Sequence, residues 1–409
     1  MKYPIYCLVL CVAMLTASAA ADWASIGPEG GQIYSMVQNE ATGVLYGASG
    51  SYPVKVMKST DGGLSWTVAG TFSGYEYCMA CGPTGTLFCG GSSYTYTSTN
   101  GGATWSSSYQ QNTIFYDIVA HPTNPQIVYG SGYRYNGSIW QWFFGASTNA
   151  GSTWTYTTMA TDQSYGYGVA VSRSNPSVVY CTGYVYTGST YIPKISRSTD
   201  GGTSFTDVTP AGAASEYYGY SCAIHPTNPN TVLWGSLYGI WRSTDGGATW
   251  TDCSSTTYNY NLTYSLSNPN LVYAGGYNNI LKSTNGGQTW TSITSGLTGN
   301  FFYDVIPSNT DETRAYTGST FGAFRSTNTG TTWTMNNTGL LLGRDMAIGV
   351  APSQTSLILK QMQGCGVWKS TNYGSTWTTM TMPLSCGDFC GIVFSPSSAN
   401  TILALEGSG

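Results

Sequence analysis

Four carboxylates in the chain have the placement that acid–base chemistry asks for. Asp117, Asp304, Asp345 and Asp388 each stand just before or at the start of a segment rich in β-branched and aromatic residues. Two carboxylates facing one another can hydrolyse a glycosidic bond, one as acid and the other as base or nucleophile. Tyr116, Tyr220, Tyr303 and Trp142 supply flat apolar faces on which a sugar ring can stack. The plainer reading is that the aspartates cap turns and the tyrosines line strands. Other chemistries find less support. The two histidines, His121 and His225, sit in identical HPTNP stretches, which marks them as turn elements. With no third histidine, a histidine metal centre or a charge-relay triad is not expected, and no metal or cofactor is implied.

The first 21 residues read as a secretory signal peptide. Lys2 precedes an apolar run from Ile5 to Leu15, and small residues end in Ala19-Ala20-Ala21, so cleavage is expected before Asp22. The run is too short to span a bilayer, which predicts a secreted, extracellular protein with no membrane span. Nine cysteines follow, and export predicts that most form disulfides, an odd count leaving one over. The pairs considered are Cys78 with Cys89, Cys181 with Cys222, and Cys365 with Cys386 or Cys390. Asn136, Asn261 and Asn336 open N-x-S/T sequons and are expected glycan acceptors on surface loops.

Composition narrows the partners. Only 8% of residues are charged, against about 25% in ordinary globular chains, while Gly numbers 52 and Tyr 33. The net charge is −4 and no basic patch occurs, which argues against a nucleic-acid partner. Glycans or extracellular proteins are the expected partners, with a homo-oligomer or filament as a further possibility.

One stretch organises the rest. STDGGATW at 243–250 has seven relatives, with third positions Asp61, Asn100, Asn149, Asp200, Asp245, Asn285, Asn328 and Asn372. The starting serines are 39, 49, 51, 45, 40, 43 and 44 residues apart, a period that signifies a propeller or solenoid. Asp or Asn at the third position can accept a backbone N–H two residues on, glycine then tolerates positive φ, and the final aromatic anchors the turn. Asp and Asn interchange, so charge is dispensable and all eight boxes are structural. Upstream of each box lies a strand, an Asn/Pro turn and a second strand, as in IVAHPTNPQIVYGSG at 118–132. Two strands there and two around the box make a four-stranded blade.

These boxes resemble the Asp-box, or BNR, repeat (S-x-D-x-G-x-T-W) of sialidases, xyloglucanases, sortilin-type receptors and photosystem II assembly propellers. The resemblance implies that each box lies between the third and fourth strands of a blade, away from the ligand face. It says little about chemistry, because the architecture carries hydrolases, receptors and scaffolds alike. A sialidase would need an Arg-Ile-Pro element and three converging arginines. No Arg-Ile-Pro occurs, and Arg197, Arg242 and Arg325 directly precede boxes. The acidic pair of xyloglucanases falls on no definite position.

The expected fold is therefore all-β: a single large β-propeller of about eight to nine four-stranded blades spanning 22–409. Nine strand-turn-strand halves face eight boxes, so the last blade is incomplete, with strand 22–27 a candidate to close it. The expected function is a secreted, non-catalytic propeller with a structural, adhesive or glycan/protein-binding role, including self-assembly into filaments through the open blade. The alternatives are an extracellular glycoside hydrolase with a carboxylate pair at the channel mouth, and a receptor-type peptide-binding propeller.

Overall fold

The computed structural model describes residues 30–406 apart from 50–52, 257, 341, 343–344, 363–365 and 381–388. The signal-peptide segment and strand 22–27 lie outside the described residues. Each repeat folds as expected into antiparallel strands laid side by side in chain order. The fourth repeat shows the plan: Ser164–Val171 innermost, then Val179–Tyr186, Tyr191–Ser198 and Thr206–Asp207 at the rim. Six sheets have four strands, and a six-stranded sheet holds the second and third repeats. Those two are joined because Ser106–Ala120 is the outer strand of one and the inner strand of the next. A two-stranded sheet, Phe389–Ser395 with Ser398–Glu406, follows the eighth box. The fold is all-β, a propeller of four-stranded antiparallel blades as expected.

The boxes are held by more bonds than an Asx-turn supplies. Ser243 Oγ accepts the Gly247 N–H (2.8 Å) and donates to Asp245 Oδ1 (2.8 Å). Asp245 then accepts the N–H and the hydroxyl of Thr249, four residues on rather than two. In an Asn copy the amide turns donor, and Asn285 Nδ2 bonds Thr289 Oγ1 at 2.9 Å. Gly246 and Gly247 have φ of 78° and 94°, which only glycine adopts at no cost. The Gly246 N–H reaches back to Asn230 O (2.8 Å) in the Asn/Pro turn of its own repeat. Boxes and Asn/Pro turns thus share one face of the ring, the turn face. There His121 Nδ1 accepts the N–H groups of Thr123 and Asn124, so it is a turn cap.

The box tryptophan joins blades rather than strands of one blade. Trp105 Nε1 donates to Ala69 O, Trp250 to Val208 O and Trp333 to Ile293 O, each in the preceding repeat. Trp66 of the first repeat donates to Asn336 O, just past the seventh. Further bonds tie the same seam: Ile33 N to Ser319 O, Gly30 N to Leu340 O and Leu342 N to Gly30 O. Beneath them Ile33, Met36, Leu45, Trp66, Tyr316 and Leu340 form one buried core. The first repeat therefore closes on the seventh. The strands from Asp345 onward have their own core of Leu357, Leu359, Val367, Ile392 and Phe394, and adjoin the ring where Trp368 packs with Phe321 and Trp377.

The expected disulfides do not form among the described cysteines. Cys89 is register partner of Met79 and shares its core, whereas Cys78 pairs with Gly90 and faces the next blade. Alternating residues of a strand point to opposite faces, so the sheet separates the two sulfurs. Cys181 faces the third repeat with Tyr129 and Trp142, while Cys222 packs on the other side with Tyr180 and Trp234. Cys365 and Cys386 lie outside the described residues. No helix among the described residues is long and apolar enough to cross a membrane.

Candidate functional site

The inner strands acquire their function from a shared irregularity. In the second repeat Glu76 pairs with Gly91 and Cys78 with Gly90, leaving Tyr77 as an extra residue. The same shift isolates Tyr116, Tyr167 and Tyr220. Such a β-bulge suspends alternation and re-aims side chains, so all four tyrosines line the central channel together with Cys78, Asp117 and Ser221, the residues after three of them. Around the channel Tyr34, Tyr77, Tyr116, Tyr167, Tyr220, Tyr260 and Tyr303 form a ring of one tyrosine per repeat. Neighbouring centroids lie 4.6 Å apart at Tyr34–Tyr303, 5.1 Å at Tyr77–Tyr116, 5.0 Å at Tyr116–Tyr167 and 5.2 Å at Tyr220–Tyr260. Burial and crowding by other tyrosines raise the hydroxyl pKa of Tyr167, Tyr220 and Tyr303, so these groups stay neutral.

One residue further along, a polar layer encircles the same cavity of about 600 Å³: Ser35, Cys78, Asp117, Ser221, Asn261 and Asp304. Four of its members staple one inner strand to the next. Ser35 Oγ accepts the Met79 N–H, Asn261 Oδ1 that of Val305, Asp304 Oδ2 that of Met36, and Asp117 Oδ2 that of Val169. The two carboxylates are half-buried and open only to the channel. Asp117 is pushed up to about 7, chiefly by burial, with the Val169 N–H opposing and the Asp304 charge adding to the rise. Asp304 is pushed up to about 6 by burial, tempered by bonds from the Met36 N–H and the Ser35 hydroxyl. Asn261 Nδ2 also donates to Asp304 Oδ1 at 3.0 Å. Its amide is oriented by Thr263 Oγ1 and the Val305 N–H, both bonded to its oxygen.

Of the residues expected at the site, Asp117, Asp304, Tyr116, Tyr220 and Tyr303 come together in the channel. Asp345 is not among the described channel-lining residues. It pairs with Met362 just before the bulge of its strand, the register position of Phe115 rather than of Asp117. Asp388 lies outside the described residues. Trp142 is a core residue, 1% exposed, its Nε1 donating to Ser131 Oγ. Asn261 is not a surface acceptor, because its amide nitrogen is bonded to Asp304 in the channel wall. Asn136 is exposed at a hairpin tip, and Asn336 is partly exposed beside the first-to-seventh seam. Tyr34, Tyr77, Tyr167, Tyr260 and the channel role of Asn261 were missed. Aligning the repeats on their boxes would have found them, since each of the first seven has a tyrosine followed by a small or polar residue.

No protein-family model matches the sequence, and no curated protein matches it. Solved structures do. A GH74 enzyme from Niastella koreensis is similar over 92% of this chain and 70% of its own, at 17% identity and a TM-score of 0.63. An ancestral GH74 enzyme is similar over 96% of this chain and 60% of its own, at 16% identity and a TM-score of 0.72. YCF48 bound to D1 peptide matches over 73% of this chain and 94% of its own, at 15% identity and a TM-score of 0.52. The expectation of a non-catalytic, structural or self-assembling protein is corrected by these findings. Glycoside hydrolases share this architecture over nearly the whole chain, and a carboxylate pair lines its channel. At such identities the likeness shows the fold alone: this chain is a β-propeller like those of the GH74 enzymes.

Proposed function

We propose that the chain is an extracellular glycoside hydrolase of the Asp-box type, acting on a neutral polysaccharide through Asp117 and Asp304. The observation that carries this reading is two carboxylates in one tyrosine-walled cavity whose environments set them apart. Asp304 receives the Met36 N–H, the Ser35 hydroxyl and the Asn261 amide, all favouring the carboxylate, and ionises first. It serves as base or nucleophile. Asp117, held up to about 7, keeps its proton near neutrality and protonates the leaving oxygen. The tyrosine ring offers stacking faces for the sugar on either side. Export by residues 1–21 fits a substrate outside the cell. A similar structure is a xyloglucanase from Xanthomonas campestris, which makes β-glucans the first substrates to try.

The test is release of reducing ends from xyloglucan and mixed-linkage glucan by wild type, Asp117→Asn and Asp304→Asn. Asn261 shows that asparagine fits this layer and still accepts the next strand's N–H, so these variants remove charge and spare the staple. Each is expected to lose 10²- to 10⁴-fold in rate, about the worth of one acid–base group, with the thermal midpoint little changed. Wild-type activity should peak between about 6 and about 7, where Asp304 is ionised and Asp117 protonated. Wild type that releases nothing from neutral glucans, or variants as active as wild type, would sink the proposal.

A further inference from the structure

The two faces of the ring differ in a way that channel chemistry does not use. The turn face carries the boxes and the Asn/Pro turns, and the box tryptophans are spent between blades. The opposite mouth face carries the bulged inner-strand starts and the hairpins between second and third strands. Tyrosines crowd it. Tyr191, Tyr217, Tyr238, Tyr258 and Tyr277 keep 36–44% of their surface exposed, a costly display unless something covers the rings.

These rings are continuous with the channel. Tyr277 lies 5.7 Å from Tyr258 and 5.1 Å from Phe301, and Phe301 stacks on Tyr303 with planes 4° apart. One hairpin of the arc is also pinned from beneath. Glu216, only 6% exposed, fixes the Tyr238 hairpin by accepting the Tyr238 N–H, the Ser236 hydroxyl and the Trp241 indole N–H. Charge is sparse on the arc: 187–190, 237–239, 255–260, 276–279 and 293–303 contain no Asp, Glu, Lys or Arg, Glu216 beside Tyr217 is buried, and Asp162 is exposed where the chain enters the fourth repeat. The ion pairs Arg173–Glu40 and Arg314–Asp311 sit on the turn face instead. Flat apolar rings bearing hydroxyls, interleaved with amides such as Asn278 and Asn300 and poor in exposed charge, match a pyranose chain, apolar on its faces and hydroxylated at its rim.

We propose that the mouth face of the fourth to seventh repeats is a binding platform for a neutral polysaccharide, which it holds across the channel opening. The proposal rests on the glycoside-hydrolase reading for its ligand class, yet it concerns residues outside the channel. Affinity electrophoresis through gels containing xyloglucan or, separately, polygalacturonate tests it, using an Asp304→Asn background to suppress turnover. The parent should be retarded by xyloglucan and not by polygalacturonate. Tyr191→Ala/Tyr238→Ala/Tyr277→Ala should bind about tenfold more weakly or worse. The matching phenylalanine triple keeps the rings and should bind as the parent does, which separates stacking from loss of fold. Tyr373→Ala, an exposed tyrosine in a box on the turn face, should change nothing.

A parent that is not retarded, an alanine triple retarded like the parent, a phenylalanine triple as weak as the alanine one, or stronger binding to polygalacturonate each overturns the platform. If xyloglucan binding is lost in the alanine triple while wild type hydrolyses nothing, the platform stands and the hydrolase reading falls. If wild type hydrolyses xyloglucan and the alanine triple binds it undiminished, the reverse holds.

Discussion

At the scale of single residues, the channel aspartates make stability depend on pH in the direction opposite to most carboxylates. In the unfolded chain an aspartate titrates near about 3.9. Folding raises Asp304 to about 6 and Asp117 to about 7, so the folded state binds these protons more tightly. Their contribution is complete below the unfolded value and is lost as pH rises through about 6 and then about 7. The box aspartates work the other way. Bonds from Thr249 hold Asp245, and bonds from Ser204 hold Asp200, at about 2, so their contribution is lost as pH falls towards that value. The thermal midpoint is therefore expected to fall by several degrees between pH 5 and pH 8. In Asp117→Asn/Asp304→Asn the same titration should be nearly flat. A wild-type midpoint that climbs from pH 5 to pH 8 would show that the channel does not hold these protons. Asp117, Asp304 and three of the ring tyrosines were legible in the sequence because each opens an inner strand. Asp345 also opens an inner strand, but it takes the register position of Phe115 rather than of Asp117, and a one-residue difference of register at a bulge is something no local pattern reveals.

At the scale of the element, the box separates two jobs that its sequence runs together. The serine does the buried work: Ser243 Oγ satisfies the Gly247 N–H, and without it that donor is stranded. The Asp or Asn does exposed work, which either side chain performs. Ser243→Ala should accordingly cost about 1–3 kcal/mol, the usual penalty for an unsatisfied buried donor. Asp245→Asn should leave stability at neutral pH close to that of wild type, as a surface exchange that keeps the acceptor. Denaturant unfolding of both variants checks this, and equal losses would refute the division. The boxes themselves were the most legible feature, since the bonds that define them close within eight residues. The partner of the final tryptophan was not legible. Trp250 donates to Val208 O, 42 residues earlier, and repetition within a chain carries no record of which copies touch.

At the scale of the whole molecule, the ring closes where side chains can complete it. Tyr34 stacks on Tyr303, Asp304 caps the Met36 N–H, and Gln38 Oε1 accepts the Asn309 N–H, so the first repeat is to the seventh what every other repeat is to its predecessor. The eighth and ninth inner strands keep the bulge, at Met346 and Cys390, but offer no tyrosine there and contribute none of the described channel lining. That substitution was visible in the sequence; its meaning was not, because the blade count says nothing about which blades meet. The later strands bury their own core and touch the ring through Phe321, Trp368 and Trp377. Two cores in contact unfold together only while the contacts between them couple them. Phe321 is only partly buried, so Phe321→Ala should remove about 1–3 kcal/mol, less than truncation in a full core. Scanning calorimetry is expected to show residues 345–406 melting ahead of the ring in this variant, with hydrogen exchange rising in those strands alone. A single transition at the wild-type temperature would mean that the two cores are coupled through the backbone rather than through Phe321. A single transition at a lower temperature would place Phe321 in the ring's own stability and leave the later strands no core that melts by itself.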